Sequence, residues 1–488
     1  MSTGNLSLLT DLYELTMMQG YFVSGNRDRV VFDLFYRKNP CDGGYAIMAG
    51  LEQVIDYIKE LHFDDEDVAY LRSLHIFSEE FLSYLSTFRF SGDIFAIPEG
   101  TVIFPNEPLV KVIAPIMEAQ LIETALLNII NHQSLIATKA SRVVYAAKGD
   151  GIMEFGARRA QGPDSSIYGA RAAMIGGCVG TSNVIAGKMF HVPVKGTHAH
   201  SWIMSFPDEL TAFRTYANLY PNACILLVDT YNTLATGVPH AIQVFRELKE
   251  QGRLGGLYGI RLDSGDLAFL SKQARRMLDE AGFPGAVISA SCDLDEYIIA
   301  SLKDQGACIT SWGVGTNMIT SSDCPAFGGV YKLAAIQDSQ TGEFVPKIKR
   351  SENPEKVTNP GNKIIYRVYR KDTGKIIGDL IALHDEEFSE ERNLKLFDPV
   401  YTWKKTLLKS GQFTLRRLLV PIFEGGRCVY QSPSVTDIAA YASRELDTLW
   451  DETRRFNNPH EVFVDLSRRL YNVKQELLDE IDLEDVDQ

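Results

Sequence analysis

Several polar clusters in the middle of the chain each follow an apolar run, and their side chains could bind a charged substrate. Arg261 and Asp263 are two residues apart, so on a regular strand both side chains share a face. A guanidinium there could pair with a substrate carboxylate, while the Asp263 carboxylate accepts hydrogen bonds from sugar hydroxyls or holds a positive centre. The alternative is a mutual ion pair that caps the following helix.

Two further clusters suit a phosphate and a flat aromatic acid. Gly313, Gly315 and Thr316 follow an apolar run and precede a helix-like stretch, so backbone N–H groups and a hydroxyl could surround phosphate oxygens. A tight turn would explain the same glycines. Phe155 offers an aromatic face and Arg158 a positive charge, which together would suit a planar carboxylic acid. A core phenylalanine beside a surface arginine is the alternative.

The remaining clusters contain histidines and a single carboxylate. His198 and His200 are two of only nine histidines, and no acid or histidine stands at helical spacing to complete a zinc site. One of them could accept a phosphoryl group or transfer a proton, and a structural role is equally compatible with the spacing. Asp229 ends a very apolar run and could hold Mg²⁺ through water beside a diphosphate, although Thr230 rather than a second acid follows it.

The elements that must position these side chains form a regular series. Apolar runs that end in a glycine or a polar cluster recur roughly 20 to 45 residues apart and alternate with helix-like stretches. This spacing is typical of βα units around a parallel barrel, which carries its chemistry at the carboxyl ends of its strands. The runs are 151–155, 192–195, 223–228, 257–260, 286–289 and 307–310, with 329–335 as a seventh.

We therefore predict an α/β protein of three domains. Residues 1–148 mix helical spacing with short strands cut by prolines, which indicates an α+β domain. Residues 149–340 form a parallel α/β barrel that carries the active site. Residues 341–488 form a β-hairpin return followed by a helical, acidic tail. The basic stretch 347–371 either lines a phosphate site or is a solvated hairpin.

Composition excludes several classes of protein. The 488 residues are 45% hydrophobic and 23% charged, and a net charge of −14 disfavours a nucleic-acid binder. Seven cysteines without a C-x-x-C pair indicate neither a disulfide framework nor a zinc site, so we expect reduced thiols. Because we find neither a signal-like N-terminus nor an apolar run long enough for a bilayer, we expect a cytoplasmic protein without a membrane span. No common ATP-binding motif occurs.

Six short motifs stand out when the chain is considered as a whole. They are TDLYE at 10–14, EFGARRAQG at 154–162, GTHAHS at 196–201, DTY at 229–231, RLDSGD at 261–266 and SWGVGT at 311–316. In this order they closely resemble the motifs of the nicotinate phosphoribosyltransferase family. The resemblance extends from the N-terminus to about residue 370, and the acidic C-terminal tail lies outside it.

The resemblance implies an irregular barrel with a large N-terminal domain, in a homodimer whose active sites are shared between subunits. It implies transfer of phosphoribosyl from phosphoribosyl diphosphate to nicotinate, which gives nicotinate mononucleotide and diphosphate and begins the salvage of NAD. ATP hydrolysis would be coupled through a phosphohistidine, with Mg²⁺ at the diphosphate. A nicotinamide-using enzyme, a quinolinate-using relative and a non-catalytic barrel that binds a sugar phosphate are the alternatives.

Individual roles can be carried over to matching positions of this sequence. The resemblance implies that His200 is phosphorylated and that Asp263 binds the ribose, so these two residues would be catalytic. Asp229 would lie near Mg²⁺ and diphosphate. The expected nicotinate contacts are Tyr13, Phe155, Arg158, Thr197 and Arg261, and the expected 5′-phosphate contacts are Gly313, Gly315 and Thr316.

Overall fold

The computed structural model describes residues 5–353 and 356–486 of the chain. No helix in these two ranges is long and apolar enough to cross a membrane. The helices are α1 Leu12–Ser24, α2 Leu51–Glu60, α3 Asp65–Ser73, α4 Glu79–Ser86, α5 Ile116–Leu121, α6 Glu123–Ala146, α7 Pro163–Ile175, α8 Val184–Phe190, α9 His200–Met204, α10 Glu209–Leu219, α11 Val238–Glu250, α12 Leu267–Glu280, α13 Glu296–Asp304, α14 Thr316–Ile319, α15 Val435–Asp447 and α16 Arg468–Val486.

Strands occur along most of the chain and are numbered in the same way. They are β1 Arg29–Tyr36, β2 Ala46–Ile47, β3 Asp93–Ala96, β4 Val102–Ile103, β5 Val110–Pro115, β6 Gly151–Glu154, β7 Gly180–Thr181, β8 Ala223–Leu227, β9 Leu257–Leu262, β10 Val287–Ser291, β11 Ser311–Val314, β12 Gly329–Gln337, β13 Phe344–Pro346, β14 Lys363–Arg370, β15 Ile376–Leu383, β16 Leu394–Phe397, β17 Lys405–Leu408, β18 Phe413–Arg417, β19 Val420–Glu424, β20 Arg427–Cys428 and β21 Phe463–Leu466.

The chain divides into two compact units. The first consists of the residues up to Leu135, Ala326–Pro433 and the residues from Tyr441 onward. The second consists of Ile136–Pro325 and Ser434–Ala440. The motifs from Glu154 to Thr316 therefore all belong to the second unit.

The second unit is built on a six-stranded parallel sheet with the order β7-β6-β11-β10-β9-β8. Apart from β7 and β8, strands that follow one another in the chain are neighbours, and the last strand, β11, pairs with the first, β6. This is the strand order of a barrel that the chain goes round once, with its gap between β7 and β8. The predicted α/β class and the irregular parallel barrel are confirmed.

The segment 192–195 lies beside β7 at this gap. Val194 forms a single parallel bridge with Thr181, and the Lys195 N–H donates to the Thr181 carbonyl at 2.9 Å. The predicted strand is thus reduced to one bridge. β7 itself, only two residues long, was not predicted because so short a strand leaves no recognisable apolar run.

Two of the predicted barrel strands are wrong in detail. The strand expected at 307–310 instead begins at Ser311, because Trp312 is fully buried and its indole Nε1 donates to Asp150 at 2.9 Å. The expected seventh strand, 329–335, is β12, which pairs antiparallel with β1 in the first unit. An apolar run predicts a strand but not its partner, and β1 offers β12 a long antiparallel edge.

Aspartate and asparagine side chains begin several helices of the second unit. Asp266 accepts the Phe269 N–H at 2.9 Å at the start of α12, and Asp295 accepts the Ile298 N–H at 2.8 Å at the start of α13. These N-caps satisfy backbone donors that would otherwise lack partners, so each helix begins shortly after its strand. Asp266 of the RLDSGD motif is therefore a helix cap.

The first unit contains a seven-stranded sheet with the order β13-β12-β1-β5-β3-β19-β20 and a four-stranded sheet with the order β18-β14-β15-β21. Apolar side chains of β14, β15 and β16, among them Val368, Leu380 and Leu396, form a buried cluster. The pairing of β15 with β21 is parallel, while β14 pairs antiparallel with both of its neighbours.

The basic stretch 347–371 is not one patch. Lys363 is buried and pairs with Asp33 at 2.6 Å, and Arg367 is buried and pairs with Asp379 at 2.7 Å. Exposed bases lie on both sides of these two residues: Lys347, Lys349, Arg350 and Lys356 come before them, and Arg370, which pairs with Asp372, comes after them. Neither a continuous phosphate-lining surface nor a fully solvated hairpin describes this stretch.

Candidate active site at the carboxyl ends of the barrel strands

The side chains that were expected to do chemistry lie at successive strand ends of the second unit. Asp229 follows β8, Arg261 and Asp263 lie at the end of β9, and His200 begins α9. Hydrogen bonds or close approaches link Thr197 to Arg261, Asp229 to Asp263, and Asp263 to His200. Because parallel strands end at one edge of the sheet, these residues form a single polar site.

Arg261 carries the positive charge of this site. Its Nη1 donates to Thr197 Oγ1, while its Nε is buried and has no hydrogen-bond partner among the described residues. Burial lowers the pKa of the guanidinium, and the charges of Asp263 and Asp229 oppose that shift. A half-buried cation with a buried, unused N–H donor is suited to an anionic group such as a substrate carboxylate.

Asp229 and Asp263 form a linked pair of carboxylates. Asp229 Oδ2 accepts the Asp263 backbone N–H and the Ser264 hydroxyl, both at 2.7 Å. Its Oδ1 is buried and has no partner among the described residues. Asp263 Oδ1 accepts the Ser291 hydroxyl. The free Asp229 oxygen fits a divalent cation or a water bound to one, because carboxylate oxygens are the ligands that Mg²⁺ prefers.

His200 lies beside this pair and is partly open to solvent. Its Nδ1 is 3.0 Å from Thr230 Oγ1, and its Nε2 is 3.6 Å from Asp263 Oδ2. The side chain is 39% exposed. A histidine held at one ring nitrogen and accessible at the other can accept a phosphoryl group or transfer a proton.

His198 differs from His200 in every respect that matters for chemistry. It is buried, its ring packs edge-on against Tyr216 at 4.6 Å between centroids, and its Nε2 accepts the Leu227 N–H at 3.3 Å. Burial, aided by the charge of Arg261, lowers the pKa of His198 to about 4. It is therefore neutral near pH 7. Its hydrogen bond with Leu227 connects the residues that follow 192–195 to β8, across the gap in the sheet.

The Phe155 ring is positioned by β6 and β11 together. The Phe155 N–H donates to the Val314 carbonyl at 2.8 Å, which fixes the backbone. A Cβ on Gly313 would lie 2.5 Å from the Phe155 ring, and a Cβ on Gly315 would lie 3.0 Å from the Phe155 carbonyl oxygen. Both glycines are thus explained by close packing against Phe155, and the expected phosphate role of Gly313, Gly315 and Thr316 stays a prediction.

Glu154, which precedes Phe155, stabilises the same loop through hydrogen bonds. Its carboxylate is buried and accepts the Gly156 N–H and, at 2.5 Å, the Thr181 hydroxyl. Burial raises the pKa of Glu154. It links β6 to β7 and fixes the turn that carries Arg158, which is exposed. The positive charge of Arg158 also contributes to the lowered pKa of Arg261.

Two of the expected contacts are not joined to this cluster by any of these interactions. Thr316 begins α14, where its carbonyl accepts the Thr320 hydroxyl at 2.7 Å. Tyr13 lies on α1 in the first unit and is 45% exposed. Their expected roles, at the 5′-phosphate and at nicotinate, stay predictions.

Sequence reasoning missed the hydroxyl groups that orient the charged residues. Thr230 contacts His200, Ser264 donates to Asp229, and Ser291 donates to Asp263. For two of them a signal was present, because Thr230 directly follows Asp229 and Ser264 directly follows Asp263. Ser291 lies at the end of another strand, and nothing in its sequence neighbourhood distinguishes it.

The fold and the site together indicate a class of protein: a parallel α/β barrel whose strand ends carry a half-buried arginine beside two carboxylates. Three family models match the chain over most of its length. They are the nicotinate phosphoribosyltransferase (NAPRTase) N-terminal domain at residues 8–131, the nicotinate phosphoribosyltransferase (NAPRTase) family at 151–373 and the nicotinate phosphoribosyltransferase C-terminal domain at 362–474. The chain belongs to the nicotinate phosphoribosyltransferase family.

Individual relatives agree with this family. The chain is 46% identical to nicotinate phosphoribosyltransferase of Bacillus subtilis, over 98% of this chain and 96% of the relative. It is 32% identical to the Homo sapiens nicotinate phosphoribosyltransferase, over 95% of each. The crystal structure of human nicotinic acid phosphoribosyltransferase matches with a TM-score of 0.84 and 29% identity, over 96% of this chain and 99% of that one. The resemblance and the enzyme class expected from the motifs are confirmed.

Proposed function

We propose that this chain transfers the phosphoribosyl group of phosphoribosyl diphosphate to nicotinate, which gives nicotinate mononucleotide and diphosphate and begins the salvage of NAD from nicotinate. Family membership supports the reaction. The observation that supports the strand-end site as its location is the half-buried Arg261, whose buried Nε has no hydrogen-bond partner among the described residues, beside Asp229 and Asp263. The reaction needs a cation for the acid substrate and carboxylates for a ribose that becomes positively charged.

Nicotinate binds through its carboxylate and its ring. The carboxylate pairs with the free N–H of Arg261 and accepts a hydrogen bond from the Thr197 hydroxyl, which Arg261 already contacts. The ring stacks on Phe155, whose position Gly313 permits. Arg158 adds positive charge near the ring, and the family resemblance implies Tyr13 as a further nicotinate contact. A neutral nicotinamide would leave the charge of Arg261 uncompensated, so the site favours the acid.

The transfer itself exchanges one bond for another at the anomeric carbon. The nicotinate ring nitrogen attacks this carbon while the bond from the carbon to the diphosphate oxygen breaks. The ring nitrogen is already nucleophilic, so no side chain has to remove a proton. The Asp263 carboxylate, oriented by Ser291, stabilises the positive charge that builds on the ribose. Holding both reactants in line can lower the barrier by about 7–11 kcal/mol.

The phosphate groups require their own partners. Asp229 would hold Mg²⁺, directly or through water, because its buried Oδ1 has no other partner among the described residues. When bound, Mg²⁺ neutralises charge that develops on the departing diphosphate. Backbone N–H groups of Gly313 and Gly315, together with the Thr316 hydroxyl, bind the 5′-phosphate.

ATP acts through His200 in this proposal. The proximity of Thr230 to Nδ1 leaves Nε2 as the attacking nitrogen. As Nε2 bonds to the γ-phosphorus of ATP, the bond from that phosphorus to the bridging oxygen breaks and ADP leaves; later hydrolysis of the phosphohistidine releases phosphate. A phosphate on His200 would lie near Asp263 and so beside the departing diphosphate, where it could tighten substrate binding without touching the sugar. The proposal includes a homodimer with shared active sites.

Product formation tests the proposed function. Nicotinate, phosphoribosyl diphosphate and Mg²⁺ are incubated with the full chain, with and without ATP, and nicotinate mononucleotide is followed by chromatography. We expect product in both cases and faster turnover with ATP. Absence of the mononucleotide under both conditions would contradict the proposed reaction.

The role of His200 is tested in the same assay. We expect His200→Ala to keep slow ATP-independent transfer but to lose both the stimulation by ATP and the phosphoryl label from [γ-³²P]ATP. The control is His191→Asn, because His191 is an exposed histidine of the same unit with φ 53°, a conformation that asparagine tolerates. Full ATP stimulation of His200→Ala would exclude the phosphohistidine mechanism at this residue.

A further inference from the structure

A cavity of about 590 Å³ lies within the first unit. Its walls come from the loop after β1, the segment after β16, and the chain from Asn458 to Asp465 that includes part of β21. Binding sites for small molecules commonly enclose about 300–1,000 Å³, so the cavity is large enough for a ligand. None of the residues assigned above to nicotinate transfer lines it.

Asp465 is the least exposed of the charged residues that line this cavity. It is only 5% exposed, and in the described part of the chain its carboxylate receives neither a hydrogen bond nor the charge of a base that would offset its burial. Burial and the neighbouring charge of Asp398 raise the pKa of Asp465 to about 7. A buried carboxylate without a partner is unfavourable by several kcal/mol once ionised, so the cavity provides a position where a positive group would be strongly stabilised.

The rest of the lining is also acidic. The cavity is lined by four acids and only two bases. The acids are Asp42, Asp398, Glu461 and Asp465, and the bases are Arg37 and Lys38. Lys38 is already paired with Asp42 at 2.9 Å. No third histidine, cysteine or acid within the described ranges joins Asp398 and Asp465 at metal-ligand spacing. The charge excess therefore favours an organic cation.

The remaining walls suit an aliphatic chain with polar ends. Pro105, Pro399 and Val462 offer apolar surface, while Asn106 and Asn458 offer carboxamide groups. Methylene groups would gain from contact with the apolar surface, and the amide oxygens can accept additional N–H donors. An extended primary amine combines both properties.

We propose that this cavity binds an organic cation, an ammonium or guanidinium group on an aliphatic chain, whose charge is taken by Asp465. The cation comes either from a free amine in solution or from a lysine or arginine side chain of a second copy of this chain. Both sources present the same chemistry to the carboxylate, and one experiment separates them.

Calorimetric titration of the full chain with 1,4-diaminobutane and with agmatine tests the free-amine source. We expect both probes to bind the parent protein, and Asp465→Asn to weaken binding by at least about tenfold, since a charge-assisted hydrogen bond contributes about 1.5–3 kcal/mol. Uncharged 1-butanol is expected not to bind. The matched control Glu461→Gln removes an exposed acid of the same cavity and should change affinity less than about threefold.

Sedimentation velocity over a range of protein concentrations tests the second source. If neither amine binds, the proposal requires Asp465→Asn to weaken self-association of the chain by at least about tenfold. Equal affinity of the parent and Asp465→Asn for the amines would overturn the proposal. So would the finding that Asp465→Asn changes neither amine binding nor self-association. Unchanged nicotinate transfer by Asp465→Asn shows that it is folded. Should this variant fail to fold, Asp398→Asn is expected to weaken diaminobutane binding at least about threefold.

Discussion

Glu14 is an acid buried on α1 in the first unit, and its environment makes stability depend on pH. Its carboxylate accepts the Thr124 hydroxyl at 2.7 Å and the Thr124 N–H at 2.9 Å, yet burial dominates and raises the pKa of Glu14 from 4.5 to about 7. A folded-state pKa above the unfolded value stabilises the fold fully below about pH 4.5, and this contribution is lost as pH rises through about 7.

Glu14→Gln removes this titration and keeps an oxygen for the Thr124 donors. The free energy of unfolding of Glu14→Gln relative to the parent is therefore expected to rise by about 1–3 kcal/mol between pH 5 and pH 8. Denaturant titrations at both pH values measure it, with Glu60→Gln, an exposed acid at the end of α2, as the control. A difference between Glu14→Gln and the parent that does not change with pH would contradict the shifted pKa.

The pair His198 and His200 shows what residue types alone leave open. Both histidines are polar, close in sequence and part of one motif, so either could have been the reactive group. Burial of His198 against Tyr216 and its hydrogen bond with the Leu227 N–H indicate a structural role, and both partners belong to the later elements α10 and β8. Solvent access and the neighbouring carboxylate leave His200 as the candidate.

Among the elements, β11 and the loop after β6 depend on each other through Gly313 and Phe155. A methyl group on Gly313 would lie 2.5 Å from the Phe155 ring, so the ring has to move. We expect Gly313→Ala to lower the free energy of unfolding by about 1–3 kcal/mol, as overpacking does, and to raise the KM for nicotinate because the stacking surface is displaced.

A double-mutant cycle isolates this contact. In a Phe155→Leu background, Gly313→Ala should cost less stability than in the parent, with a coupling of about 0.5–3 kcal/mol between the two positions. Gly20→Ala is the control, because nothing lies within 4 Å of the added Cβ on α1. Additive effects at Gly313 and Phe155 would mean that the ring does not limit the size of residue 313.

Periodicity predicted most elements of the barrel but not their partners. The runs at 151–155, 223–228, 257–260 and 286–289 all correspond to strands of the parallel sheet. The run at 329–335 is a strand of similar character, yet it pairs with β1, about 300 residues earlier in the chain. Alternating apolar residues indicate that a strand is buried. They do not indicate which strand it pairs with, because that depends on which sheet edge is available when distant parts of the chain meet.

For the molecule as a whole, the charged residues of the candidate site could be predicted and their geometry could not. The positions of the motifs at strand ends predicted that Arg261, Asp229 and Asp263 share one site, because the strand ends of a parallel barrel converge. The unused Nε of Arg261 and the free Oδ1 of Asp229 depend on how neighbouring loops pack. Neither the spacing of residues in the sequence nor its composition predicts such packing.

The central claim is that the strand-end site selects the acid form of the pyridine substrate through Arg261 and joins it to the ribose. The most direct measurement is kcat/KM for nicotinate and for nicotinamide, side by side, with the parent, Arg261→Lys and the exposed control Arg276→Lys. The account predicts that the parent prefers nicotinate by at least about 100-fold, that Arg261→Lys loses at least about tenfold for nicotinate alone, and that Arg276→Lys matches the parent. Equal use of both pyridines by the parent, or an Arg261→Lys enzyme with unchanged preference, would contradict it.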